Sequence, residues 1–248
     1  MKQLYLGIKF ALSYFTILPI RFGESDDLSH PKVLSSMLYT LPLVGLILSA
    51  LSLGLFGLLE PLGWLGAIIA ATAYMMMYGF IHTEAIIDVA DALYASHSGK
   101  DPYIIIKEPS VGAMGVLYGV SFLLLKIAAL STLLMHHLFL PFIAIAAISR
   151  IALLVLIKYH NFRSSFVSKL HESLTLFPLV LVISLYAAAG FYLLSWPFFS
   201  LFLIGIGTAL ILCALTKKSL GFINGDVLGM SLEGVELILI LAVLLTWS

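Results

Sequence analysis

Charge is scarce in this chain. Only 10% of its 248 residues are Asp, Glu, Lys or Arg, whereas 61% are hydrophobic, and the mean hydropathy is +1.10. Soluble globular domains carry about 25% charged residues, so the composition excludes an ordinary soluble protein. The sequence therefore predicts an integral membrane protein.

Two further absences limit the possible partners. The 13 basic residues are balanced by 13 acidic ones, so no net field attracts nucleic acid, and we expect no nucleic-acid partner. The single cysteine, Cys213, lies within an apolar segment. One cysteine can form neither an intrachain disulfide nor a cysteine metal site.

Long hydrophobic runs are what the sequence has instead. A helix needs about 20 residues to cross a hydrocarbon core of about 30 Å, and all its backbone groups must be bonded internally. Apolar runs occur near residues 4–20, 34–58, 62–81, 112–138, 139–157, 174–195, 197–216 and 228–247. The first run is short, contains Lys9 and ends at Pro19, so we expect it to lie along the interface or to enter only partly. We predict an all-α fold, a polytopic helical membrane bundle of seven or eight transmembrane or membrane-embedded helices, in one domain over residues 1–248.

Lysine and arginine occupy alternate connections between these runs. They follow the first, third, fifth and seventh runs, and they are missing near residues 60, 138 and 196 and at the C-terminus. By the positive-inside rule, the basic connections face the cytoplasm and the C-terminus faces outside. We therefore expect a site built on the polar loops to face the cytoplasm.

An acidic stripe occupies the segment GFIHTEAIIDVADAL, residues 79–93. Glu84, Asp88 and Asp91 are spaced i, i+4, i+7, which places them on one helical face, and His82 lies beside them. These carboxylates repel one another and are costly to desolvate at a membrane, so the stripe predicts a bound cation. Oxygen ligands favour magnesium, manganese or calcium over zinc. The alternative is that the preceding helix ends near residue 81 and the carboxylates point into water.

A second acidic group occupies NGDVLGMSLEGVEL, where Asp226, Glu233 and Glu236 again share one helical face. Gly225 leaves room beside them for a backbone or a ligand. We expect these carboxylates to bind metal or substrate. The alternative for Asp226 is a helix cap, since early acidic residues suit the helix dipole.

Basic and glycine residues complete the candidate site. In KEPSVGAMG, the amides of Gly112 and Gly115 at a helix start suit a phosphate, with Lys107 as an added cation, although an ordinary loop would look the same. In AAISRIALL, Ser149 and Arg150 put a guanidinium in an apolar stretch, where it must face a carboxylate or a substrate phosphate. Lys126 raises the same question, but its stem could reach the interface.

Taken in order, these blocks resemble the cobalamin synthase family, the membrane adenosylcobinamide-GDP ribazoletransferases. The resemblance covers nearly the whole chain, through FTILPIRF, TLPLVGLILSA, GFIHTEAIIDVADAL, IIIKEPSVGAMG, ISR and NGDVLGMSLEGVEL. His82, Asp88 and Asp91 match the family's third-helix pattern. Glu84 and Glu108 replace family aspartates, and Pro109 stands where the family has serine.

The resemblance implies a transferase that joins the adenosylcobinamide-phosphate group of adenosylcobinamide-GDP to α-ribazole, or to its 5′-phosphate, and releases GMP. Magnesium held by the carboxylates is the cofactor that we expect for such a transfer. It implies a multi-pass protein of the bacterial inner membrane with its site on the cytoplasmic side, and a homo-oligomer or an association with other cobalamin-pathway enzymes is a further expectation. The expected metal ligands are Glu84, Asp88, Asp91, Asp226 and Glu233. The expected catalytic residues are Asp88, Asp91, Asp226 and Glu236, and the expected substrate-binding residues are His82, Lys107, Gly112, Gly115, Ser149, Arg150 and Gly225.

Two other functions fit an acidic helix end in a membrane protein. A phosphotransferase acting on CDP-alcohols also uses clustered aspartates, but its Asp-Gly and Ala-Arg spacing is not found here. An ion-coupled secondary transporter would use intramembrane acids and should show inverted repeats. The sequence shows no clear repeat of this kind.

Overall fold

The computed structural model describes residues 2–97, 99–108 and 110–247, and these residues contain helices and no strand. The helices are α1 (Lys2–Phe15), α2 (Pro31–Leu59), α3 (Trp64–Met77), α4 (Ile81–His97), α5 (Pro102–Ile105), α6 (Ala113–Met135), α7 (Phe139–Tyr159), α8 (Ser165–Ser173), α9 (Leu176–Leu194), α10 (Trp196–Leu220) and α11 (Gly225–Trp247), with a 3-10 turn at Glu60–Leu62. The all-α prediction is confirmed.

Six helical segments are long and apolar enough to cross a membrane: Pro31–Leu62, Ala113–Met135, Phe139–Tyr159, Leu176–Leu194, Trp196–Leu220 and Gly225–Trp247. Helices α3 and α4 give a seventh crossing if they are counted as one bent span. Helix α1 has 14 residues and extends about 21 Å, which is too short to span. The protein is therefore a multi-pass membrane protein with six or seven spans among its described residues, and the polytopic helical bundle is confirmed.

The third hydrophobic run is broken inside the bundle, where the sequence predicted a continuous helix to residue 81. Gly79 and Phe80 both have positive φ angles, of 66° and 54°, and the chain turns by 79° between α3 and α4. This backbone conformation is easy for glycine and unusual for phenylalanine. The Ile17 amide donates a hydrogen bond to the Met77 carbonyl at 2.9 Å, which satisfies one acceptor at the broken end. The acidic stripe therefore lies on a separate helix, α4, and not at the end of α3.

Helices α7 and α11 form the centre of the bundle. In the most apolar 18-residue stretch of each helix, 83% of the α7 residues and 67% of the α11 residues are buried, compared with 6% of the α9 residues. Helix α11 packs against α4, α6, α7 and α10, and α4 packs in turn against α6. The N-terminal ends of α6 and α11 thereby meet α4, which carries the acidic stripe.

Candidate active site

Asp91 joins α4 to the start of α6. Its two carboxylate oxygens accept hydrogen bonds from the Gly112 and Gly115 amides, both at 2.6 Å. A carboxylate is favoured there because the first amides of a helix lack partners and carry the positive end of its dipole. A Cβ at Gly112 or Gly115 would meet this carboxylate, so the two glycines make the contact possible. The amides predicted to hold a substrate phosphate are thus bound to Asp91.

Asp226, at the start of α11, faces the remaining carboxylates of α4. The negative charges of Asp226, Glu84 and Asp91 repel that of Asp88, and the charge of Glu84 also repels that of Asp226. Asp226 accepts a hydrogen bond from the Asn224 side-chain amide at 2.6 Å. Within the described part of the chain, no ion pair links Glu84, Asp88 or Asp226 to a basic side chain. The local charge therefore suits a cation.

A closed metal cage is not preformed here. Across residues 2–97, 99–108 and 110–247, no three His, Cys, Asp or Glu side chains are arranged to hold a metal ion. Magnesium, however, keeps several waters and is commonly bound by one or two carboxylates together with substrate phosphates. The oxygen donors of Asp88 and Asp226 fit that chemistry.

A cavity of about 450 Å³, the outer cavity, opens beside Asp226 on the side of the polar loops. Lys107 and Arg163 both line it. The Lys107 Nζ lies 4.1 Å from the centroid of the Tyr103 ring, and the Arg163 guanidinium carbon lies 3.7 Å from the same centroid. Cation–π attraction holds both cations at this ring. The outer cavity therefore presents two positive charges next to a carboxylate.

A smaller cavity of about 130 Å³, the inner cavity, continues from the same place into the bundle. The residues that line both cavities are Tyr14, Phe166, Val167, Gly225 and Asp226. Partial burial and the Asp226 charge raise the pKa of Tyr14, so its hydroxyl remains protonated at neutral pH. Asp226 thus stands at the junction of an apolar and a cationic space.

His82 lines the inner cavity from α4. Its side chain is buried and stacks on Phe15, with ring centroids 5.9 Å apart, and lies 6.0 Å from the Tyr78 ring. Helix α11 approaches His82 closely at Gly229. A side chain added at this glycine would place its Cβ 3.4 Å from the His82 Nδ1 atom. The structure thus brings His82 and Asp226 to one cavity.

Glu233 and Glu236 lie elsewhere, in the middle of the bundle. Glu233 is ion-paired with Lys126, and Glu236 is ion-paired with both Lys126 and Arg150, with 2.6 Å between Lys126 Nζ and Glu236 Oε2. The Ser149 hydroxyl donates to Glu236 at 3.1 Å. Lys126 is fully buried and does not reach the interface, which corrects that alternative. The structure pairs Arg150 with a carboxylate, one of the two partners expected for it.

The same network contacts the break between α3 and α4. The Tyr74 hydroxyl donates to Glu236 at 2.9 Å, and the Tyr78 and Thr83 hydroxyls donate to Glu233 at 2.6 and 3.1 Å. Glu233 also lies seven residues, or about 10 Å along the axis, beyond Asp226. Buried charges are expected to be paired in this way. Metal binding by Glu233 and catalysis by Glu236 stay predictions, and the observed contacts give both residues a structural partner instead.

Comparison with known proteins supplies the family. A model of the family described as cobalamin-5-phosphate synthase matches residues 7–244. The chain belongs to this family. Membership in the cobalamin-5-phosphate synthase family makes the chain a transferase of cobalamin biosynthesis, as the resemblance implied.

Individual relatives are similar over nearly their whole lengths. An adenosylcobinamide-GDP ribazoletransferase of Brevibacillus brevis is 27% identical over 243 residues, which cover 96% of this chain and 97% of the relative. One from Clostridium perfringens is 30% identical over 246 residues, covering 95% and 96%. One from Escherichia coli is 28% identical over 255 residues, covering 94% and 97%. No solved structure matches the chain.

In this member of the cobalamin-5-phosphate synthase family, the observed site includes residues that the sequence did not predict. Arg163, Tyr103 and Asn224 were not predicted as site residues, yet all three line the outer cavity. The Arg163 amide donates to the Ile223 carbonyl at 2.8 Å, which ties the loop after α7 to the connection before α11. The only sequence signal for Arg163 was its position in a basic loop. Pro109 lies outside the described residues.

Proposed function

We propose that the chain transfers the adenosylcobinamide-phosphate group from adenosylcobinamide-GDP to the ribose 3′-hydroxyl of α-ribazole, or of its 5′-phosphate, with release of GMP. The names of the relatives supply these substrates. The observation that carries the proposal is the junction at Asp226, which has no basic ion-pair partner among the described residues and lines a cavity together with Lys107 and Arg163.

The donor's diphosphate would lie in the outer cavity. The Arg163 guanidinium and the Lys107 ammonium are positioned to bind phosphate oxygens, and the guanidinium fork matches two of them at once. In the reaction, the bond between the cobinamide-side phosphorus and the bridging oxygen breaks, and that phosphorus bonds to the 3′-oxygen. GMP leaves with the bridging oxygen. Such transfers depend on positioning and on neutralising phosphate charge more than on covalent catalysis.

The acceptor hydroxyl must lose a proton in this step. Asp226 lines both cavities and is the carboxylate closest to where donor and acceptor would meet, so we assign it as the general base. Asp88 and Glu84 are then left to hold magnesium. When bound, the ion would neutralise charge on the diphosphate.

We place the site on the cytoplasmic side of the bacterial inner membrane. The outer cavity is built from the connections that carry lysine and arginine, and such connections favour the cytoplasm. Among the six candidate spans, α9 is the least buried, so we assign its surface to contact with lipid or with a second copy of the chain.

The test measures GMP release by the detergent-purified protein, supplied with both substrates, with and without magnesium. We expect Asp88→Asn and Asp226→Asn to lower kcat about 100-fold or more, as loss of metal ligation or of a general base does. The matched control is Glu60→Gln, because Glu60 is an exposed carboxylate just after the C-terminal end of α2 and lines neither cavity. Wild-type rates in Asp88→Asn and Asp226→Asn would contradict the assignment.

A further inference from the structure

The inner cavity is mostly apolar, although it adjoins a charged site. Its walls include Phe15, Leu38, Leu153 and Phe166, drawn from four separate parts of the chain. The polar side chains at its walls are those of Tyr14, His82 and Asp226. It is therefore a space for an apolar group that must end beside the Asp226 carboxylate.

The size of the inner cavity limits what can enter. At about 130 Å³ it is close to an engineered protein cavity of about 150 Å³, lined by Leu, Ile and Phe, that binds benzene. Sites for whole drug-sized molecules occupy about 300–1,000 Å³. One six-membered ring can fit inside, and a second fused ring would extend to the junction with the outer cavity, which shares Tyr14, Phe166 and Asp226 with the inner one, whereas a corrin ring or a complete nucleotide is too large.

We propose that the inner cavity binds the aromatic base of the acceptor nucleoside and so places the ribose hydroxyl at Asp226. This inference rests on the proposed function. The base of α-ribazole is a substituted benzimidazole, a flat and largely apolar pair of rings that keeps one free ring nitrogen after glycosylation. His82 lines the same cavity, and a neutral imidazole carries one ring N–H that can donate to such a nitrogen.

The guanine of the donor fits this cavity poorly. Guanine carries several donors and acceptors around its edge, and burying them against leucine and phenylalanine without partners is unfavourable. The outer cavity offers cations and an aromatic ring, which suit a nucleoside diphosphate better. The acceptor base is thus assigned to the inner cavity and the donor's diphosphate to the outer cavity, with Asp226 lining both.

The test fills the inner cavity and follows the two substrates separately. Leu153→Trp, on α7, should raise the KM for α-ribazole about tenfold or more, because overpacking displaces the base. The KM for adenosylcobinamide-GDP should stay within about twofold. The matched control is Ile143→Trp on the same helix, which fills a different apolar cavity of about 140 Å³ and should leave both values unchanged.

A second measurement uses the unchanged protein. Free 5,6-dimethylbenzimidazole should inhibit GMP release competitively against α-ribazole and not against adenosylcobinamide-GDP, whereas free guanine should not compete with α-ribazole. If the wild-type protein releases no GMP, the proposed function itself fails. If it releases GMP, but dimethylbenzimidazole does not compete with α-ribazole or a folded Leu153→Trp raises both KM values equally, the assignment of the inner cavity is overturned.

Discussion

Replacing Lys126 with methionine tests the ion-pair network in the middle of the bundle. The change removes the cation that Glu233 and Glu236 share, and Glu236 keeps Arg150 while Glu233 loses its only basic partner among the described residues. Breaking a buried ion pair on one side costs about 3–5 kcal/mol. For a chain of this length, about 2–4 °C is lost per kcal/mol, so we expect the melting temperature to fall by about 6–20 °C.

The assay is thermal unfolding of the purified protein in detergent, with two companion variants. Lys126→Met combined with Glu233→Gln removes both charges and leaves the Arg150–Glu236 pair, so we expect it to be more stable than Lys126→Met alone. Lys218→Met removes an exposed lysine at the end of α10 and should cost less than about 1 kcal/mol. A melting temperature of Lys126→Met within about 2 °C of the wild type, or strictly additive effects in the double variant, would refute this reasoning.

Three further predictions concern the site. Asp91→Asn should lower stability by about 1–3 kcal/mol more than Asp88→Asn, measured by thermal unfolding, because an asparagine side chain cannot accept both amide bonds that Asp91 accepts. Gly115→Ala should lower the rate of GMP release about tenfold, since its Cβ would displace the Asp91 carboxylate; a normal rate would show that this contact is dispensable. Arg163→Ala should raise the KM for the donor about tenfold, whereas Lys169→Ala, which removes an exposed cation of the same connection, should not.

Most of the membrane architecture could be predicted from the sequence. In a bilayer every backbone group must be satisfied within a helix, so long apolar runs map directly onto spans, and the short first run was correctly set apart as α1. A helix end near residue 81 was only the alternative, and the sharp bend between α3 and α4 was not predicted. The break contains no proline, and its only local signal is Gly79, while Phe80 adopts an unusual positive φ and packs against the core.

The candidate site was only partly predictable for a related reason. Helical spacing places Glu84, Asp88 and Asp91 on one face, but it cannot reveal which neighbour each one meets. The fold gives Asp91 to the start of α6 and leaves Asp88 near Asp226. Helical periodicity also placed Asp226, Glu233 and Glu236 in one group. In the structure, Glu233 and Glu236 are instead ion-paired with buried basic residues in the centre of the bundle.

Cations in the loops were the hardest part to foresee. Arg163 reaches Tyr103 across about 60 positions of sequence, and no local pattern encodes such a contact. The same holds for the inner cavity, whose walls come from widely separated helices.

The most direct test of the account is GMP release from adenosylcobinamide-GDP and α-ribazole by the wild-type protein and by Asp226→Asn, each measured with and without magnesium. The account predicts magnesium-dependent GMP release by the wild type and a decrease in rate of about 100-fold or more in the variant. The Glu60→Gln rate should equal that of the wild type. GMP release that is equally fast in Asp226→Asn, or that does not respond to removal of magnesium, would contradict it.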